Sequence, residues 1–323
     1  MQDLVRLVGI ARLAAEGSLL AEKRRVEYRS LPTRSWLNRC DSRRVPFDWT
    51  INPYRGCEYG CKYCYARFTH EFLEKEEAEA FETEIYAKEW NPAQFQSELR
   101  QVKPGQVIGV GTATDPYQPA ERKFGRTRAV LTALQRISGI SLFVTTKSDL
   151  AARDADLFRA IAERNEVRVT FSVTTVDAKL AKRTEPFAPR PDLRLKAVRA
   201  LTEAGVSAGV IASPVLPWIT DSEENLESVA RAAKEAGADQ FGANVLFLKP
   251  CSSRVYLPFI EEQFPALALR YRQSYGSNAF LKGSYPEMIR ERIQRIRERV
   301  GIGQRDFSRT NPPAPAGSQL LLF

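Results

Sequence analysis

SLFVTTKSDLAARDADLFRAIAERNEVRVTFSVT, residues 141–174, reads as one strand–helix–strand unit. Ser141–Thr146 and Val167–Thr174 are nearly continuous in apolar or β-branched residues, the mark of parallel strands covered by helices. Between them Ser148 or Asp149 can cap a helix with Leu150, Leu157, Phe158 and Ile161 on one side. The two strands are expected side by side in one parallel sheet, with the helix against its face.

The same alternation runs outward from about Phe47 to Lys249. Trp49–Asn52, Gln106–Gly111, Ser207–Ser213 and Gln240–Leu248 are the further expected strands. One helix is expected to start at Asp192, carry Leu193, Val198 and Leu201, and end at Gly205. Another starts with a capping box, Thr220 with Glu223, ahead of Leu226, Val229 and Ala233, and ends at Gly237. Six such units fall short of the eight that close a full barrel. The expected fold class is therefore α/β, a partial (βα)6 TIM-type barrel over residues 46–250, with its chemistry where the βα loops gather at the C-terminal strand ends.

Flanking this core, residues 1–45 read as an amphipathic helical extension that becomes irregular. Residues 251–303 read as a helical region in which Met288, Ile289, Ile293, Ile296 and Val300 form a packing stripe. Residues 304–323 read as a proline-rich flexible tail ending in QLLLF. No apolar run approaches the roughly 20 residues that span a bilayer, and the N-terminal stretch, broken by Arg6 and Arg12, does not read as a signal peptide. Five cysteines, an odd count, fit a reducing compartment better than a disulfide framework, so a cytoplasmic protein is expected. The net charge of +9 and pI near 9.4 favour approach to polyanions. Equally, that surplus can be spread over a solvated surface, for Arg24-Arg25, Arg43-Arg44 and the series Arg290–Arg299 cluster only loosely.

The chemistry concentrates in NPYRGCEYGCKYCYAR, Asn52–Arg67, where Cys57, Cys61 and Cys64 stand at spacing C-x₃-C-x₂-C. Gly56 and Gly60 point to a tight loop able to wrap an inorganic cluster, and thiolates are the ligands iron–sulfur clusters need. Three ligands for four irons leave one iron open to substrate. A zinc site completed by His70, the only histidine, and three ordinary buried thiols are the alternatives. Cys40 and Cys251 read as single buried cysteines.

CEYGCKYC resembles the C-x₃-C-x-Φ-C signature of the radical S-adenosylmethionine (SAM) superfamily, with Tyr63 in the aromatic position. The blocks NPYRGC…GCKYCYAR, TDPYQPAE (114–121), TTKSDL…RD (145–154) and TEP.AP…RL (184–195) are similar to the subfamily containing spore photoproduct lyase and its "DNA repair photolyase-like" relatives. The likeness covers roughly Phe47 to Gly303. It implies a [4Fe–4S] cluster whose open iron chelates SAM, reductive cleavage to methionine and a 5′-deoxyadenosyl radical, and hydrogen abstraction from substrate. It also implies an electron donor such as flavodoxin or ferredoxin. By position in the family pattern, the segment carrying Thr112, Thr114 and Asp115 holds the methionine amino group, with Asp115 the apt partner. Lys147 or Arg194 would pair its carboxylate, Ser172 could bond ribose, and Glu185 is a further contact.

The sequence departs from spore photoproduct lyase in one respect. That enzyme returns a hydrogen atom from a cysteine near the second strand, whereas here no cysteine lies between Cys64 and Cys251 and Ala113 stands near the expected place. A tyrosine such as Tyr117 could serve instead. The leading expectation is radical SAM chemistry on nucleic acid, as in DNA repair. The others are the same chemistry on a small molecule or protein, and a zinc- or cluster-bearing DNA-associated module without turnover. Gln319–Phe323 resembles the short peptide by which bacterial repair proteins dock on the sliding clamp, Leu320, Leu322 and Phe323 filling an apolar groove; alternatively it folds back on its own barrel.

Overall fold

The computed structural model describes residues 7–23, 26–40, 45–75, 77–276 and 278–304. Strands β1 (Leu19–Lys23), β2 (Val26–Leu31) and β3 (Leu37–Arg39) precede β4 (Trp49–Ile51), β5 (Tyr54–Arg55) and β6 (Glu84–Lys88). Then come β7 (Val107–Val110), β8 (Ser141–Thr146), β9 (Glu166–Ser172), β10 (Ala208–Val215), β11 (Gln240–Val245) and β12 (Gly303–Gln304). The main sheet runs β12-β11-β10-β9-β8-β7-β4-β3. From β4 to β12 every pairing is parallel, and only β3 runs antiparallel, at the β4 edge. Among the described residues no pairing joins β12 to β3, so the barrel is partial. Six of these strands are those expected, within a few residues at their ends.

Their sequences explain their place. All four residues of β7 are buried, as are five of six in β8, because helices cover one face while the other lines the barrel. The helix between β8 and β9 spans Ala155–Ala162, preceded by a 3₁₀ segment Asp149–Asp154 whose Ser148 cap accepts from the Leu150 N–H at 3.3 Å. Leu157, Phe158 and Ile161 are its buried face. The expected capping box at Thr220 is displaced. The Thr220 hydroxyl accepts from the Leu216 N–H at 2.8 Å, and Ser222 caps helix Glu223–Glu235 through the Asn225 N–H at 3.1 Å.

The N-terminal extension differs from its expected helical-then-irregular form. Its described helix covers Gly9–Glu16, and Leu19-Leu20 start a hairpin, β1 with β2. Strand β2 continues into a second sheet, β1-β2-β6-β5. Its alternate residues Tyr28 and Ser30 are buried together with Leu31, a period-two burial that a helix cannot provide. This small sheet matters because β5 leads directly into the cysteine loop. Residues Arg24-Arg25, Arg43-Arg44 and the tail with Gln319–Phe323 lie outside the described residues. No helix among the described residues is long and apolar enough to cross a membrane.

Candidate active site at the cysteine loop

Strand β4 carries the chain to the C-terminal edge of the parallel sheet, and β5 turns it back along β6, pairing Arg55 with Tyr86. Gly56 follows with φ +80°. A Cβ there would stand 2.8 Å from the Glu84 carbonyl oxygen and 2.9 Å from that of Phe81. The Cys57 N–H donates to that same Phe81 oxygen at 2.8 Å. Gly60, φ +61°, lets the loop turn again beneath Phe187. Gly56→Ala is accordingly expected to destabilise the fold by about 2 kcal/mol or more and to lower iron content after reconstitution. A thermal melt and an iron assay check this; a variant matching wild type in both would show that the loop tolerates relaxation.

Each turn of the loop is held by a distant segment. The Gly56 carbonyl accepts from the Thr114 hydroxyl at 2.6 Å and from Gln118 Nε2 at 2.9 Å, while Gln118 Oε1 accepts from the Glu58 N–H at 3.0 Å. Tyr28 donates to Glu58 at 2.9 Å. The Lys62 N–H donates to the Thr184 carbonyl at 3.0 Å, and the Ser252 hydroxyl to the Cys64 carbonyl at 2.8 Å. Cys57, Cys61 and Cys64 are free thiols, the first two buried and the third half-buried. Burial pushes all three thiols up, well up for Cys57; neighbouring sulfurs add to the shift at Cys57 and Cys61, while the Arg67 and Lys147 cations partly offset it at Cys64. Buried thiolates need a cation to hold them.

The donor set fits an iron–sulfur cluster and not zinc. His70 Nε2 contacts the Glu84 carbonyl at 3.1 Å, and its ring packs edge-on to Phe81 and Tyr86. Burial lowers its pKa to about 4. Among the described residues no three His, Cys, Asp or Glu side chains converge as on a single metal ion, whereas in a four-iron cluster each thiolate ligates its own iron. Cys251 is not remote: its buried sulfur lies 3.9 Å from the Tyr65 carbonyl oxygen, beside the loop.

Behind the loop the expected cofactor contacts divide. Glu185 is buried at 1% exposure and receives the Tyr63 hydroxyl and Arg194 Nη2, with Lys147 Nζ at 3.7 Å. Burial alone would push its carboxyl up. The Arg194 and Lys147 cations and the Tyr63 hydroxyl outweigh that and hold it below the ordinary range. Arg194, also 1% exposed, further donates to the Pro189 carbonyl at 2.7 Å and the Ser172 carbonyl at 2.8 Å. It is engaged within the protein as a brace between Glu185 and the end of β9, which corrects its expected role as a partner for the methionine carboxylate. Lys147 is the less buried cation, its ammonium 5.7 Å from the centre of the Tyr63 ring.

Asp115 takes three protein donors: the Tyr117 N–H at 2.9 Å, the Thr146 hydroxyl at 2.7 Å and the Lys147 N–H at 2.7 Å. Burial raises its carboxyl, and these bonds offset that only in part. A carboxylate has about four acceptor positions, so one remains for a ligand. Thr112 Oγ1 accepts from Asn52 at 3.1 Å, and the Thr112 carbonyl accepts the Tyr65 hydroxyl. Ser172 closes β9, buried. Tyr117 is corrected as a hydrogen donor. Its hydroxyl donates to buried Asp154 at 3.2 Å inside the main core, where its ring packs with Phe158.

Sequence reasoning missed Gln118, Asn52 and the buried pair Glu121 and Asp154. Glu121 accepts from Tyr54 at 2.6 Å and Arg153 at 2.9 Å. Asn52 opens the cysteine segment, and Gln118, Glu121 and Asp154 stand inside the blocks 114–121 and 145–154, so the signal was present, but as family markers and not as a network joining two loops.

A model of the radical SAM superfamily matches residues 51–233. The chain belongs to the radical SAM superfamily. As a radical SAM protein it is an enzyme, and its cofactors are a [4Fe–4S] cluster and SAM. An uncharacterized protein of Mycobacterium tuberculosis is 32% identical over 301 residues, 92% of this chain and 86% of the relative. Another, of Methanocaldococcus jannaschii, is 31% identical over 54% of this chain and 63% of its own length. Among solved structures, a spore photoproduct lyase variant superposes with TM-score 0.64 at 16% identity, covering 83% of this chain and 78% of that one. A further variant, with bound AdoMet and dinucleoside spore photoproduct, gives 0.59 at 16% identity with the same coverage. These likenesses establish the fold that this radical SAM chain shares with them.

Proposed function

We propose that this radical SAM enzyme acts on nucleic acid, with lyase-like chemistry of the kind used in DNA repair. The observation that carries the reading is how the cations around the cysteine loop are partnered. Lys182 lies near the Phe187 ring and donates to the Pro186 carbonyl at 2.6 Å; Arg183 lies over Phe264 and donates to the Gln263 carbonyl; Lys249 lies over Phe68 at 3.5 Å. Rings and carbonyls orient these charges without cancelling them, which leaves a positive rim for a phosphate backbone. Elsewhere charge is matched: Arg299 pairs with Glu223 and Glu227, and Arg290 with Glu287. Two of the five arginines in the series noted in the sequence are thus paired with carboxylates. Around the loop Arg67, Lys147 and Arg254 are paired with Glu82, Glu185 and Glu71, while Lys182, Arg183 and Lys249 have no carboxylate partner among the described residues. The fold likeness to a lyase that holds a dinucleoside supports the same reading.

On this proposal Cys57, Cys61 and Cys64 hold the cluster, Asp115 receives the methionine ammonium and Lys147 its carboxylate. The bound cofactors supply one-electron chemistry for abstracting a hydrogen atom. Tyr63, Glu185 and Arg194 brace the wall behind them. Anaerobically reconstituted enzyme, reduced with damaged DNA, undamaged DNA, peptide or nucleosides, is expected to release extra 5′-deoxyadenosine with damaged DNA. Binding to DNA is expected to weaken steeply with salt, by about tenfold or more between 50 and 200 mM. Stimulation by a peptide or small molecule alone would reject the nucleic-acid reading. Gln319–Phe323 we propose as a sliding-clamp tether that raises local concentration at DNA; equal clamp binding by full-length chain and chain lacking those residues would reject it.

A further inference from the structure

Beside the cysteine loop three aromatic rings form a ledge that the radical chemistry does not use. Tyr65 follows Cys64 directly and is fixed by its hydroxyl on the Thr112 carbonyl. Phe247 lies two residues beyond β11 and stacks on Phe280, ring centres 4.4 Å apart and planes at 28°. The two phenylalanines are locked together by backbone: residues 247 and 280 form an antiparallel bridge, and the Leu248 N–H donates to the Ala279 carbonyl at 2.8 Å. Tyr65 lies 6.4 Å from Phe247. Phe280 remains 52% exposed and Tyr65 43%. The stacked pair is thus held rigid with an aromatic face turned to solvent.

The charge around this ledge selects its occupant. From Val245 to Ile260 the ionisable side chains that carry charge are Lys249 and Arg254, and from Gly276 to Pro286 Lys282; neither segment contains an Asp or Glu. Arg254 is paired with Glu71 at 3.0 Å, while Lys249 and Lys282 have no carboxylate partner among the described residues. An aromatic face on segments of net positive charge suits a planar base on an anionic strand. We propose that Phe280, with Phe247 and Tyr65 behind it, is the stacking platform for a nucleobase of a single strand or of a nucleotide extruded from its duplex. The inference rests on the nucleic-acid reading above and deepens it by naming the part of the substrate that is gripped.

The test uses full-length holoenzyme and a short single-stranded oligonucleotide carrying 2-aminopurine, whose fluorescence falls when it stacks. Wild type is expected to bind and quench it. Phe280→Ala and Phe280→Leu should both bind roughly 5- to 150-fold more weakly and lose the quench, and Phe280→Trp should keep both. Leucine retains the apolar bulk without the π-face, so it separates stacking from plain burial, and melting temperatures confirm folding. If wild type binds the strand while Phe280→Ala and Phe280→Leu stay within about twofold of it, the platform is wrong and the nucleic-acid reading survives. If wild type binds no strand at all, the nucleic-acid reading falls and the platform with it. Loss of affinity in Phe280→Ala for a tyrosine-rich peptide, with strand binding unchanged, also overturns the platform.

Discussion

Cys61→Ala is expected to yield a protein with little iron and sulfide and with 5′-deoxyadenosine release at background. The three thiols supply all the protein ligands of a four-iron cluster, so removing one leaves two irons without a protein ligand, and the cluster cannot be retained. Cys57→Ala and Cys64→Ala should behave alike. Cys251→Ala is the informative control, because Cys251 is also buried and lies against the same loop. It should keep its iron, since Ser252 and not Cys251 makes the close bond to the Cys64 carbonyl. Iron and acid-labile sulfide assays with the ultraviolet–visible spectrum read the outcome. Retention of a full cluster by Cys61→Ala, or its loss in Cys251→Ala, would mean that the ligands have been assigned wrongly.

Glu185→Ala has the next largest expected effect, and it acts on stability. Among the described residues its carboxylate is the only acidic partner of Arg194, and both groups are almost wholly buried. Removing one member of such a pair strands the other charge in a dry interior, at a cost of about 3–5 kcal/mol. For a chain of this size that corresponds to a melting temperature lower by roughly 6–20 °C. Tyr63→Phe, which removes one neutral donor and leaves the ion pair, should cost only about 1 kcal/mol. Pairing Glu185→Ala with Arg194→Met should recover part of the loss, because the unpaired cation goes too. A calorimetric series across the four proteins checks the ranking. A double variant less stable than Glu185→Ala alone would show that Arg194 stabilises mainly through its carbonyl bonds.

How legible all this is in the sequence follows from what each residue contacts. Strands β7, β8 and β10 are buried on both faces, so their composition alone marks them. The second sheet is hidden because β5 has two residues and β2 is amphipathic; short strands carry too little pattern to stand out. The cysteines announce themselves by spacing. The groups that shape their loop do not, since Thr114 and Tyr28 act through one hydrogen bond each and Gln118 through two, over separations of 30 to 62 residues. Arg194 misleads for a related reason: a guanidinium in sequence looks the same whether it meets a ligand or, as here, two carbonyls and a carboxylate of its own chain.

The many-sided support of the cysteine loop has a consequence for how the enzyme is made. Its thiols leave the ribosome well before their partners: Glu185, which receives Tyr63, comes 122 residues after it, and Ser252, which holds Cys64, comes 188 residues later. At roughly 5–20 residues per second that interval is on the order of 10–40 s. Throughout it the three sulfurs are present without the walls that will enclose them. Iron and sulfide are therefore best delivered to a finished polypeptide and not to a nascent one. Until then the young chain must be guarded against oxygen and stray metal by something other than its own fold.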